Sequence, residues 1–390
     1  MSSPRALLAK VRLDGFRSIK TASLSLGRIN VLIGPNGAGK SNLVTALRLP
    51  RIMLAQGLRR FVGEQGGASR LLHHGPSSTR EMRFALEFSE GAQSKCYEAI
   101  LRHAAGDSFV FDAERVFLGT LTDDEPPGLE LATAPGGHAE SELAKITVPT
   151  MSSYASLWPL IEGIGFFHFH DTSSTAPLRQ NSAPAENISL RSDGSNLATI
   201  LYRLKHSEHP DFQAAWKRIE GLIQRVAPFI KSLAPSPVAP EMPKSALQLY
   251  WQDTRGHRFE ASDLSDGTLR AIALITALAQ PATMLPSFIA IDEPELGLHP
   301  AALSLIASLA RSVSHYSQIL LSTQSPALLD EFEPDQVIVA EQHEGMRRSS
   351  ESGLARVALG KASTFKRLDA TELEGWLAVH ALEALGAMPS

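Results

Sequence analysis

The sequence predicts an α/β fold: a mixed sheet packed with helices, with an N-terminal β lobe and an inserted helical lobe. Three observations predict it. Short β-favouring runs crowd the chain up to Leu118. Helix and strand signals alternate from Gly267 to Ser322, as in a parallel sheet. The segment VLIGPNGAGKSNL, Val31 to Leu43, fits G-x-x-x-x-G-K-[ST] at every defined position, between an apolar run and a helical pattern.

Element by element, strands are expected at Leu8 to Leu13, Ala22 to Leu26, Arg28 to Ile33, Met82 to Phe88, Cys96 to Arg102 and Ser108 to Phe117. A helix starts near Asn42, and Phe61 to Ser78 and Leu121 to Gly137 are Gly- or Pro-rich connections. Helices follow at Ser195 to Leu204 and Asp211 to Leu233, where Trp216, Ile219, Leu222, Ile223 and Val226 share a face. Four prolines make Ala234 to Pro243 a loop or linker. Leu247 to Trp251 and His257 to Glu260 form a hairpin. Then come Gly267 to Leu278 (helix), Phe288 to Ile291 (strand), Pro300 to Ser314 (helix) and Gln318 to Ser322 (strand). Val337 to Glu341 and Ala355 to Leu359 form a terminal hairpin, followed by a helix from Ala370 to about Leu385. This divides the chain into 1–120, 121–245, 246–345 and 346–390: an N-terminal β lobe with the glycine-rich loop, an inserted helical lobe, the remainder of the core, and a C-terminal hairpin and helix.

Composition narrows the function classes. Charge is nearly balanced, 37 Lys+Arg against 41 Asp+Glu, so no global basic field announces nucleic acid. Arg5, Lys10, Arg12, Arg17 and Lys20 form a local basic cluster, equally compatible with solvated strand faces. The single cysteine, Cys96, excludes an internal disulfide and a cysteine-built zinc site, in keeping with a reducing cytosol. No run reaches the roughly 20 apolar residues of a membrane span, and no signal pattern opens the chain, so a cytoplasmic location without membrane partners is expected.

The glycine-rich loop implies a nucleoside triphosphate. Gly34, Gly37 and Gly39 let successive N–H groups turn inward, with Pro35, Asn36 and Ala38 completing the cradle and Asn42 following it. Lys40 would reach the β- and γ-phosphates, and the Ser41 hydroxyl would ligate Mg²⁺. FIAIDEPELGLHP, Phe288 to Pro300, supplies the partner: a buried strand ending in two carboxylates. Asp292 suits Mg²⁺, and Glu293 suits the polarisation of an attacking water. His168, His170 and Asp171 invite a metal reading, against which stands a plain strand with alternating faces.

DLSDGTLR, Asp263 to Arg270, resembles the signature motif of ABC-type ATPases, although S-D-G-T is also a common helix cap. STQSP, Ser322 to Pro326, stands where that family carries a switch residue, commonly His, and here Gln324 takes the place. LDGFRSIK, Leu13 to Lys20, resembles the N-terminal turn of the RecF-like and SMC-like branch. With FHFHDTSSTAPLRQ, LRSDGSNLATILYRL and ASTFKRLDATELEGWL, the whole resembles the RecF/SMC/OLD-type branch of ABC ATPases, most closely its compact AAA-family members. The resemblance implies a P-loop NTPase of ABC-ATPase head type that hydrolyses ATP with Mg²⁺. It implies roles for Glu293, Lys40 and Gln324 in hydrolysis, and for Ser265 and Gly267 in capping the γ-phosphate bound by a second copy. It further implies a homodimer closed through its ATP sites, and Arg17 near the nucleotide. Gln65 is a candidate for the Gln-containing loop. Asp266 and Thr268 depart from the transporter-like signature.

OLD-type relatives append an acidic Toprim nuclease, but no Asp-x-Asp follows Ser325-Pro326, and Glu341 and Glu344 fit hairpin surface. The expected activity is therefore a molecular switch or clamp in DNA maintenance or phage defence, acting on duplex DNA or with a separate effector such as a nuclease or toxin. An ATP-sensing scaffold with little hydrolysis is the alternative, and the motor of a membrane transporter a third.

Overall fold

The computed structural model describes residues 6–91, 93–122, 128–145, 156–242, 245–348 and 356–384. The chain forms two units, Met1–Ile164 with Phe332–Ser390, and Gly165–Glu331.

The first unit opens with β1 (Leu7–Phe16), β2 (Ile19–Ser25) and β3 (Ile29–Ile33), then α1 (Lys40–Leu54) and α2 (Leu58–Glu64). It continues through β4 (Glu81–Glu90), β5 (Gln93–Ala104), β6 (Ser108–Leu118), β7 (Leu129–Ala134) and α3 (Trp158–Glu162). Six strands make an antiparallel sheet in the order β2-β1-β4-β5-β6-β7. One buried face carries Leu13, Phe84, Tyr97, Phe109 and Phe111, each contributing about 1.5–3 kcal/mol as it leaves water. Cys96 is buried beside Glu87 and Glu98, and burial first, then those carboxylates, push its thiol up to about 12, which keeps it unreactive.

The second unit holds β8 (Ile164–Phe167), most of which lies in it, then α4 (Leu197–His206), α5 (Pro210–Val226), β9 (Ile230–Pro237), β10 (Leu247–Asp253) and β11 (Arg258–Glu260). It ends with α6 (Asp266–Ala279), β12 (Phe288–Asp292), α7 (Pro300–Val313), β13 (Gln318–Thr323) and α8 (Pro326–Leu329). Strands β12 and β13 are parallel, with Phe288 opposite Gln318 and Asp292 opposite Ser322. Every residue of both is buried, which explains their unbroken apolar runs. Helix α5 buries Trp216, Ile219 and Ile223 on one face. It stops at Val226 rather than Leu233, because Pro228 cannot continue a helix.

Ala234 to Pro237, expected as the start of a loop, instead belongs to β9. It is an edge of a three-stranded sheet in the order β11-β10-β9. An edge strand turns half its N–H groups away from its neighbour, so Pro235 and Pro237, two positions apart, cost the ladder little. Pro243 lies outside the described residues.

The chain then returns to the first unit with β14 (Val337–Arg348), β15 (Arg356–Arg367) and α9 (Ala370–Ala384). The terminal hairpin is more than an appendage. Strand β14 runs parallel to β3, with Val337 opposite Val31 and Val339 opposite Ile33, while β15 pairs antiparallel with β14. The Glu341 carboxylate accepts a hydrogen bond from Trp376 Nε1 at 2.6 Å. Among the described residues no helix is long and apolar enough to cross a membrane.

Candidate functional site

In the first unit, buried β3 delivers the chain into the glycine-rich loop, and α1 begins at Lys40. Gly39 is the N-cap with φ 101°, and a Cβ there would strike the hydroxyls of Ser363 and Ser18, so the position requires glycine. No side chain of the cap residue accepts from the first turn of α1, and that turn holds no acidic residue. A helix start of this kind can receive an anion. Pro35, Asn36 and Gly37 make the exposed tip, and Gly34 and Ala38 are buried. Lys40, 5% exposed, bends back over the loop and donates to the carbonyls of Gly34 at 2.6 Å and Pro35 at 3.1 Å. Ser41 is exposed on the first turn.

The same unit brings Arg17, Asn42 and Gln65 together. Arg17 Nη1 donates to Asn42 Oδ1 at 3.3 Å, and Nη2 donates to Gln65 Oε1. Asn42 Nδ2 donates to Ser18 Oγ at 2.8 Å, which also accepts from Ser363 Oγ at 2.8 Å. Burial of the Arg17 guanidinium lowers its pKa from the ordinary value. The backbone of Arg17 is left-handed, φ 48°, and is held on both sides: its N–H donates to the Leu71 carbonyl at 2.8 Å, and its own carbonyl accepts from His73 Nδ1 at 2.7 Å. Lys10 donates to the Leu121 carbonyl, and Arg12 to Asp14 and Thr122. Lys10, Arg12 and Arg17 thus have internal partners; Lys20 is exposed, and Arg5 lies outside the described residues.

His73 carries a pH dependence. Burial holds its pKa below the ordinary value, with the Arg17 carbonyl opposing and His74 and Lys20 adding to the decrease. The unfolded chain takes up this proton near about pH 6.5 while the folded chain resists it, so stability is lost as the pH falls below that value. Lowering the pH from about 7.5 to 5.5 is therefore expected to lower the midpoint of thermal denaturation more in the wild type than in a His73→Asn variant, which keeps an N–H donor but cannot titrate. Equal acid shifts in both would refute this assignment.

In the second unit, β12 ends at Asp292, 8% exposed, and Glu293 follows with φ 46°, a left-handed conformation rare outside glycine. Gln324 Nε2 donates to Glu293 Oε1 at 2.5 Å. Asp292 Oδ1, Ser322 Oγ and Glu295 Oε2 are buried without a hydrogen-bond partner at these strand ends. A buried carboxylate oxygen with no donor suits a hard divalent cation, so Asp292 fits Mg²⁺. Ser265 is the N-cap of α6, its Oγ accepting from the Thr268 N–H at 3.3 Å. Gly267 approaches the Gly297 carbonyl so closely that a Cβ would collide with it.

The segment Phe167 to Gln180, which resemblance singled out without a mechanism, supports these loops. The rings of His168 and His170 lie against each other with centroids 3.8 Å apart and planes tilted by 36°. His168 Nδ1 lies 3.9 Å from Asp292 Oδ2, and His170 Nε2 is 3.1 Å from the Asp292 carbonyl and 3.8 Å from Glu293 Oε2. Asp171 does not join them: its carboxylate accepts from Ser173 N, and no group of three or more metal-ligating His, Cys, Asp or Glu occurs among the described residues. Arg179 donates to the carbonyls of Thr172, Ala261, Ser262 and Leu264 and to Asp266, fastening the loop ahead of α6. Arg270 donates to the carbonyls of Phe169, His170 and Leu296. Glu295 accepts from Thr323 Oγ1 at 2.7 Å and Gln324 N at 2.8 Å, shaping the loop after β13. Sequence reasoning missed the supporting roles of Glu295, Arg179 and Arg270, whose partners, Thr172 apart, lie 26 or more positions away.

Residues 29–330 match the family model described as "AAA domain, putative AbiEii toxin, Type IV TA system". A comparison with curated proteins finds no match. Among solved structures, the chain is similar to an SmcHead bound to the C-winged helix domain of ScpA. The two share 16% identity and a TM-score of 0.57, over 94% of this chain and 99% of that one. It is also similar to the Smc head domain with an extended coiled coil bound to the C-terminal domain of ScpA, from Pyrococcus furiosus, at 13% identity and a TM-score of 0.55, over 97% and 100% of the two chains. Because the family model spans most of its length, this chain belongs to the AAA-domain family so described, and it has the fold of an Smc head domain.

Proposed function

We propose that this chain is a Mg-ATP-dependent ATPase working as a molecular switch or clamp, with ATP held between two copies. The observation that carries the reading is the start of α1, an amide-rich turn without a side-chain cap under the ammonium of Lys40. Entering phosphates would take over Lys40 from the Gly34 and Pro35 carbonyls, exchanging neutral partners for charged ones. Ser41 and Asp292 would hold Mg²⁺, which when bound spreads the charge of the phosphate oxygens. Glu293 would accept a proton from, or orient, the attacking water, with Gln324 fixing its carboxylate. Ser265 and Gly267 of a second copy would close over the γ-phosphate. ATP would thereby become the bridge that makes the dimer.

In this reading the closed dimer engages duplex DNA or a separate effector such as a nuclease or toxin, in DNA maintenance or phage defence. The similarity to head domains bound to parts of ScpA supports an effector supplied by another chain. One feature favours the scaffold alternative: Gln324 already engages the Glu293 carboxylate, and its amide cannot titrate, which suits slow turnover.

The test compares wild type with Lys40→Ala for binding of a fluorescent ATP analogue and for phosphate release, with and without duplex DNA. Losing a charge-assisted contact worth about 1.5–3 kcal/mol is expected to weaken binding about 10- to 100-fold. Unchanged binding and turnover in Lys40→Ala would overturn the ATPase reading. DNA-stimulated turnover supports the clamp, and slow DNA-insensitive turnover supports the scaffold.

A further inference from the structure

We propose that His170 is a positioning residue that clamps the Asp292–Glu293 peptide and so aims the Glu293 carboxylate. The inference rests on the reading of Glu293 as the group that directs water. It begins from strain: Glu293 has φ 46°, which a residue with a Cβ adopts only when its surroundings over-determine it. Three contacts do so. The Glu293 N–H donates to the Ser322 carbonyl at 2.7 Å, and its Oε1 accepts from Gln324. Both of these come from β13 or the residue just beyond it. The third contact comes from elsewhere in the unit. His170 Nε2 lies 3.1 Å from the Asp292 carbonyl oxygen. A carbonyl can only accept, so the imidazole must donate, which sets its tautomer with the proton on Nε2.

The peptide joining Asp292 to Glu293 is therefore gripped on both edges, its C=O by His170 and its N–H by Ser322. A peptide held at one edge can rotate about the line joining its Cα atoms, whereas one held at both cannot without breaking a hydrogen bond. The orientation of that peptide sets φ of Glu293 and thus the direction of its side chain. His170 is well anchored for this task. Its own carbonyl accepts from Arg270 Nη2 at 2.6 Å, its ring lies tilted against that of His168, and the His168 backbone N–H donates to the Ser192 carbonyl at 2.9 Å. Arg270 belongs to α6, so the clamp is tied to the helix that Ser265 caps.

The experiment compares wild type, His170→Phe, which keeps an aromatic ring and loses the donor, and His170→Gln, which restores an N–H donor. Steady-state ATP turnover and affinity for a fluorescent ATP analogue are measured for each. In His170→Phe, kcat is expected to fall about 10- to 100-fold, the scale of a misplaced reacting group, while KM and nucleotide affinity stay within about threefold. His170→Gln is expected to recover most of kcat. A second readout does not need turnover. Glu293→Gly removes the left-handed penalty and is expected to raise the denaturation midpoint by about 2–4 °C in the wild type, and by less in His170→Phe, where the unclamped peptide has already relaxed. Undiminished kcat in His170→Phe, or equal midpoint shifts in the two backgrounds, overturns the clamp while leaving the ATPase reading intact. Absence of turnover in the wild type removes the ATPase reading instead, and the thermal comparison then decides the clamp alone.

Discussion

Replacing Glu293 with Gln is expected to lower ATP turnover by about 10²- to 10³-fold, the usual contribution of a positioned general base, while nucleotide binding persists. The substitution is nearly isosteric. It removes the negative charge, and the amide can still present an oxygen to Gln324 Nε2, so the local arrangement survives. Under the proposed cycle, ATP binding closes two copies and hydrolysis reopens them. A variant that binds but does not hydrolyse should therefore accumulate as a dimer in Mg-ATP and revert to monomer when the nucleotide is removed. Size-exclusion chromatography with light scattering measures this directly. A Glu293→Gln protein that binds the ATP analogue yet stays monomeric at every concentration would sink the sandwich dimer, and one that hydrolyses at the wild-type rate would remove Glu293 from the chemistry. The scaffold reading differs in its prediction, since in slow turnover the wild type itself would accumulate as the dimer.

The second large effect is on stability and lies in the first unit. Glu114 is fully buried, and its carboxylate accepts from Tyr97 Oη at 2.8 Å, Ser141 Oγ at 2.5 Å, and the backbone N–H groups of Glu142 at 3.0 Å and Leu143 at 3.1 Å. Four donors distribute the charge that burial would otherwise make costly. Burial, and then this carboxylate, raise the Tyr97 hydroxyl well above its ordinary value, so the phenol stays a donor. The same stretch anchors α2, whose first N–H groups, Leu58 and Arg59, donate to Glu140 at 2.9 Å. Glu114→Ala strands several buried donors at once and is expected to destabilise the protein by about 3–5 kcal/mol. Glu114→Gln, which keeps one acceptor but turns an NH₂ toward donors, should cost less, about 1–3 kcal/mol. Denaturant titration followed by fluorescence reads both. An alanine variant within about 1 kcal/mol of wild type would show that the site relaxes or hydrates without penalty.

Some of this molecule is legible in the sequence because its determinants are local. The N-cap at Ser265, the turn of glycines before Lys40 and the paired runs ending at Asp292 and Thr323 each depend on residues within a few positions. Non-local partners are less visible. The basic residues Lys10, Arg12 and Arg17 formed a candidate patch in sequence, yet each is committed to internal acceptors, two of them on the segment after β6. Pro235 and Pro237 argued for a loop, and only the edge position of β9 shows why a strand tolerates them. The helix end at Val226 was legible in Pro228, where the apolar periodicity ran on and misled.

For the candidate site the division follows the range of the forces. Sequence by itself determined the chemistry available: a glycine-rich turn, a lysine, a hydroxyl, two carboxylates at a strand end and a capped helix, since residue type and short spacing suffice for each. Tertiary structure decided how those groups are held. It pulled Lys40 onto two carbonyls, set Arg17 between Asn42 and Gln65, and brought His170 to a peptide 122 positions away. A hydrogen bond depends on distance and direction in space, and no spacing along the chain encodes either once the partners stand on different elements.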